Sequence, residues 1–134
     1  MRNIPQGTDK ESVYIRNAVI VAELSPLIGK SFPCPAFGNR NVEVLFGSVS
    51  ETATHASKNI LSTMAAIRLV EALSKAKRIE RTITPDSNRQ KKMGFKKIHI
   101  LLSELKGIGH VKIVVGEKAN RRVVHYCITK NKTS

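Results

Sequence analysis

The sequence predicts an α+β domain in which one long amphipathic helix packs on a mainly antiparallel β-sheet, with a short N-terminal strand and helical turn ahead of both. Three observations predict it. Apolar residues recur at steps of three or four from about Ser57 to Arg78, several β-rich runs separated by tight-turn residues close the chain, and no internal repeat breaks the order. At 134 residues the chain is of single-domain size, enough to withdraw roughly two-thirds of its unfolded surface from water. The domain is expected over residues 12–130, between a flexible leader (1–11) and a basic tail (131–134).

The first element expected is a strand over Val13–Leu24, because SVYIRNAVIVAEL is rich in β-branched and aromatic residues. Ser25 followed by Pro26 suits one helical turn. PCPAFGNRN, with two prolines, a glycine and two asparagines, should be a loop, and VEVLFG alternates like a second strand that Gly47 ends. The long helix follows, with Ile60, Met64, Ile67, Val70 and Leu73 toward the core. Hydroxyl residues precede its start near Ser57, and Lys75, Lys77 and Arg78 lie in its last turn, where cations suit the helix dipole. ITPDSNRQKKMG, without apolar period, is expected to be an exposed basic loop. FKKIHILL, HVKIVVGE and RRVVHYCIT then form three antiparallel strands joined at GIG and KAN.

Lys and Arg number 23 against 10 Asp and Glu, a formal charge of +13, which points to a polyanionic partner. Nucleic acid fits best, since clustered cations displace condensed counterions from phosphates. A solvated basic face is the plainer explanation. Cys34 and Cys127 lie far apart with no CxxC spacing, so neither a zinc knuckle nor a disulfide framework is expected. No apolar run reaches the roughly 18 residues of a membrane helix, so no membrane association is expected and a cytoplasmic location is. There is no phosphate-binding glycine loop, dinucleotide fingerprint or HExxH, and no cofactor is expected. With only six aromatic residues, stacking of bases on a sheet is weakly supported.

Strand alternation places Lys112, His125 and Thr129 on a face opposite the apolar set, with His99 between Ile98 and Ile100. A helix start near Ser57 would offer unpaired N–H groups to an anion, with His55, Ser57, Lys58 and Asn59 beside it. Metal-free RNA cleavage needs a group to take the 2′-OH proton, one to protonate the leaving oxygen, and cations for the phosphorane charge. Histidine, lysine, tyrosine and threonine can supply these parts. Each has a blander explanation: His55 as part of a helix cap, His99, His110 and His125 as surface strand residues, Cys127 as a small sheet residue, and Arg89–Lys97 as a solvated loop.

SVSETATHASKN leading into a helix, and the closing VKIVVGE and HYCITK, resemble small nuclease-like domains of phage and mobile-element polyvalent proteins and bacterial toxin systems. These belong to the superfamily of barnase, EndoU, colicin-type tRNases and RelE-like proteins. The resemblance spans roughly residues 45–130. It implies N-terminal helical structure followed by an antiparallel sheet and, in active members, a metal-independent endoribonuclease leaving a cyclic phosphate. It implies His55 as acid or base, Lys112 as strand cation, and Tyr126 and Thr129 as terminal-strand polar residues, with Gln90 also matching. Ser57, Lys58, Arg89, Gln90, Lys91, Lys92 and His125 would then contact substrate. Strict alternation sets Tyr126 and Thr129 on opposite faces, so a shared site needs a bulge or Tyr126 acting from the strand edge. RNA is the expected partner. The alternatives are a non-catalytic nucleic-acid-binding or accessory domain, and a toxin neutralised by an acidic inhibitor protein.

Overall fold

A computed structural model describes residues 3–131 and shows an α+β domain built on one six-stranded mixed sheet. Helix α1 (Lys10–Leu24) comes first, then a 3-10 turn at Ser25–Leu27, β1 (Ser31–Phe32), a second 3-10 turn at Pro35–Phe37, and β2 (Val42–Glu43). Three helices follow, α2 (Phe46–Ala56), α3 (Ile60–Ile67) and α4 (Leu69–Lys75). Then come β3 (Ile79–Ile83), the short α5 (Asn88–Lys92), β4 (Phe95–Leu105), β5 (Gly109–Lys118) and β6 (Val123–Lys130). The strand order is β1-β2-β6-β5-β4-β3, antiparallel throughout except for the parallel β2–β6 pair.

The expected strand over Val13–Leu24 is a helix. Asp9 starts it by accepting from the Ser12 backbone N–H at 3.1 Å and the Ser12 hydroxyl at 2.7 Å. Its buried residues, Arg16, Val19, Ile20 and Leu24, fall at helical spacing, while Ile15 and Val21 stay largely exposed. Local β-propensity is here overridden by which positions reach the core. The helix also claims Lys10 and Glu11 of the expected leader, and the backbone at Pro5 and Gly7 is held by Arg16. Of the expected tail, residues 132–134 lie outside the described residues. The turn at Ser25 is present, whereas the second strand is confined to Val42–Glu43 because Phe46 already begins α2.

The single long helix is instead two, α3 and α4, with the unforeseen α2 ahead of them. SVSETATHA is itself helical, since its buried Ser48, Val49, Thr52, Ala53 and Ala56 form a stripe of small residues that a polar composition disguises. Ser48 Oγ accepts from the Leu45 N–H at 3.0 Å, and Asn59 Oδ1 restarts the chain as α3 by accepting from the Ser62 N–H at 2.8 Å. A further break at Arg68 separates α3 from α4. Ala65, Ala66, Leu69, Ala72 and Leu73 face the core, while Val70, expected there, is exposed. The expected basic loop contains α5, capped by Ser87 Oγ on the Gln90 N–H at 3.1 Å, and is preceded by the unforeseen strand β3.

The helices cover one sheet face, where Leu101, Leu105, Val111, Ile113, Val115 and Ile128 join residues of α1 to α4 in the main core. A smaller cluster of Phe95, Ile98, Ile100, Val124, Tyr126 and Cys127 occupies the other face. Gly116 makes room for the Phe95 ring there, since a Cβ would stand 2.3 Å from it. Beyond its short pairing with β2, β6 is flanked by α2 and α3, and the Lys130 N–H donates to Ser62 Oγ at 2.9 Å. Part of an otherwise open sheet edge is covered in this way.

Candidate functional site: a polar cleft on the second sheet face

On the face away from the main core, β3 to β6, α2 and the segment from β3 to α5 enclose an open cleft of about 310 Å³. Its floor is apolar, with Ile98, Ile100 and Val114, and its polar lining comprises His55, Arg81, Asp86, Gln90, Lys112, Tyr126 and Thr129. Five separated stretches of sequence therefore converge on one concavity.

Lys112 and Thr129 are directly paired across β5 and β6, so their side chains share a face by register alone. Tyr126 joins them through a bulge. Val114 pairs with Cys127 and Val115 with His125, leaving Tyr126 as an extra residue on β6 and turning both Tyr126 and Cys127 toward the cleft. The same bulge leaves His125 on the opposite face, fully buried in the protein interior with neither ring nitrogen hydrogen-bonded, so the expected substrate contact is not made. Burial pushes its pKa down to about 3, which keeps the imidazole neutral. Thr52 Oγ1, also fully buried, likewise makes no hydrogen bond.

His55 sits in the last turn of α2, because the chain is already helical from Phe46, and the next helix starts only at Ile60. The expected anion site at the Ser57 N–H groups therefore does not form. Ser57 is buried, and its carbonyl accepts from Arg16 Nε at 2.7 Å; the Lys58 carbonyl accepts from the same guanidinium at 3.3 Å. Neither residue lines the cleft. The His55 side chain remains 45% exposed, with Nε2 3.4 Å from Glu51 Oε2 one helical turn back.

Glu51, absent from the expected set, stands behind the cleft lining and holds two of its residues, His55 and Tyr126. Its carboxylate accepts from Arg89 Nε at 2.9 Å and from the Tyr126 hydroxyl at 3.1 Å, and its side chain is only 12% exposed. Arg89 also donates to Ser50 Oγ at 3.2 Å, so it ties α5 to α2 and does not line the cleft as a substrate contact. Gln90 does line it, anchored by the Asp86 N–H donating to its Oε1 at 3.1 Å, whereas Lys91 and Lys92 lie exposed outside. Burial and then the nearby Glu51 carboxylate raise the Tyr126 pKa, keeping the phenol a neutral donor. Burial and Glu51 also push the Cys127 thiol up to about 12, which rules out a thiolate nucleophile at neutral pH.

Arg81 and Asp86 went unforeseen because β3 did. His99, expected on the open face, points to the helix side, where its Nδ1 meets Thr82 Oγ1 at 2.8 Å and its Nε2 meets Glu117 Oε1 at 2.7 Å. Glu51 had one legible signal: it stands four residues before His55, the spacing that stacks two side chains on a helix. That signal exists only if the run is read as helical. No family model, curated protein or solved structure matches the chain. No helix among the described residues is long and apolar enough to cross a membrane.

Proposed function

We propose that the chain is a metal-independent endoribonuclease of the phage, mobile-element or toxin kind, working in this cleft. The observation that carries the proposal is the convergence of His55, Lys112, Tyr126 and Thr129 on one open, partly apolar concavity of a strongly basic domain. In the reaction the 2′-oxygen attacks the adjacent phosphorus, the bond from phosphorus to the 5′-oxygen breaks, and a cyclic phosphate remains. His55 takes the proton of the 2′-hydroxyl as it attacks and gives it back to the departing 5′-oxygen, and Glu51 orients the ring from one turn back. Lys112 stabilises charge on the phosphorane and Thr129 orients the phosphate, joined by the neutral Tyr126 hydroxyl when it turns from Glu51 to donate to a phosphate oxygen. Because the attacking group is the 2′-hydroxyl, the substrate is RNA and not DNA.

Incubating mixed tRNA and rRNA with the wild-type chain and with His55→Ala in EDTA tests this. Wild type should produce fragments ending in a cyclic phosphate, and His55→Ala should cut at least 100-fold more slowly, the scale of a lost proton-transfer group. No cutting by wild type, or equal cutting by both, overturns the assignment. Salt-dependent RNA binding without turnover, unchanged by His55→Ala, would indicate a non-catalytic binding module instead.

A further inference from the structure

A second basic concavity lies at the end of the sheet formed by the start of β4, the end of β5 and the turn into β6. It encloses about 420 Å³ and is lined by Arg40, Lys96, Lys97, Lys118 and Arg121, five cations against the single carboxylate of Glu117. None of these residues lines the cleft that holds His55. We propose that this pocket is a separate binding site for backbone phosphates of a single-stranded nucleic acid, gripping the strand away from the cleft.

The pocket is built, not merely a scatter of surface lysines. Arg40 is fixed on three sides: its guanidinium lies 5.5 Å over the Phe37 ring, donates to the Arg121 carbonyl at 3.0 Å, and stands 3.6 Å from Glu117. Glu117 is in turn engaged by His99 Nε2 at 2.7 Å. The one acidic group is thereby engaged from two sides, and the cationic excess is left to an incoming anion. Arg121 adopts φ 71°, the left-handed region that favours glycine or asparagine, and still presents a long cationic side chain at the rim. Lys96 and Lys97 are exposed, and Lys96 occupies the irregularity between the Phe95–Lys118 and Lys97–Glu117 pairs.

The number and spread of cations favour a nucleic-acid strand over a free anion. Lys97 directly precedes Ile98 of the cleft floor on β4, so alternation turns Lys97 and its partner Glu117 to the helix side, where Glu117 meets His99, and leaves the cleft on the other side. The exposed Lys91 and Lys92 of α5 lead into β4 through Met93 and Gly94. A strand that reaches both cleft and pocket must pass around this end of the sheet, and the roughly 4–16 nucleotides of single-strand binding sites set the length to test.

The proposal rests on nucleic acid being the partner, so its test measures binding without cleavage. Fluorescence anisotropy with a labelled, 2′-O-methylated strand of about 12 nucleotides, across a salt series, compares three full-length chains. They are wild type, Lys96→Gln/Lys97→Gln/Arg121→Asn, and a control carrying Lys10→Gln, Lys77→Gln and Lys106→Gln at exposed positions elsewhere. The pocket variant should bind at least 10-fold more weakly, with a salt slope shallower by about 2, near 0.7 for each lost phosphate contact, while the control keeps the wild-type slope. Equal slopes for pocket variant and control overturn the proposal. So does polyglutamate binding as tightly as the strand with the same loss in the variant, which would mark the pocket as an acidic-protein site. Because the methylated strand cannot be cut, this result is independent of whether His55 is catalytic.

Discussion

His55 and His125 show how differently one residue type behaves on two faces of a structure. His55 is half exposed beside Glu51 at the cleft, while His125 is sealed in the protein interior without a hydrogen bond. The folded chain protonates His125 only near pH 3, against about 6.5 when unfolded, so below 6.5 the unfolded state binds more protons and stability falls as the pH drops toward 3. His125 should therefore cost the fold about 2 kcal/mol more at pH 5 than at pH 8. His125→Leu removes this titration, and urea unfolding at the two pH values should show the variant losing about 2 kcal/mol less than wild type on acidification. Equal losses in both chains would mean that the ring is not held neutral.

At the scale of elements, the break between α2 and α3 decides where His55 stands, and Arg16 of α1 secures that break. This guanidinium is fully buried and donates to the carbonyls of Pro5, Gly7, Ser57 and Lys58 at 2.6 to 3.3 Å, joining the N-terminal segment, α1 and the α2–α3 junction. The carbonyl-rich end of α2 suits a cation, and the bond to Ser57 satisfies an oxygen that would otherwise be buried without a partner. Arg16→Met keeps the apolar stem but leaves those carbonyls unpaired. It should destabilise the chain by about 3 kcal/mol or more in chemical denaturation, and a loss below about 1 kcal/mol would show the junction to be self-supporting. The helical junction was hidden in the sequence because its signals are polar. Asn59 reads as one more residue of a hydroxyl-rich run until its carboxamide is seen to cap α3. Likewise the β-branched residues of α1 suggested a strand because only packing reveals which of them are buried.

Across the whole molecule, a charge of +13 on a compact domain sets self-repulsion against partner attraction, and salt moves the two in opposite directions. Raising NaCl from about 20 to 300 mM shortens the Debye length from roughly 20 to 6 Å, so thermal unfolding should shift upward while RNA binding weakens. A melting temperature that falls with salt would show that ion pairs such as Arg122–Glu43 and Arg68–Glu71 outweigh the repulsion. The sequence by itself determined the α+β class, the three closing strands and the basic excess, because strand alternation, turn residues and charge are local properties. It also placed Lys112 and Thr129 on one face, since alternation within each strand sets both opposite its apolar residues. Only the tertiary structure decided that α2 is a helix carrying Glu51 and His55 to the cleft. It also decided that a bulge turns Tyr126 in and leaves His125 out. Both outcomes depend on which side chains the packed core admits, a competition among distant segments that no local window contains.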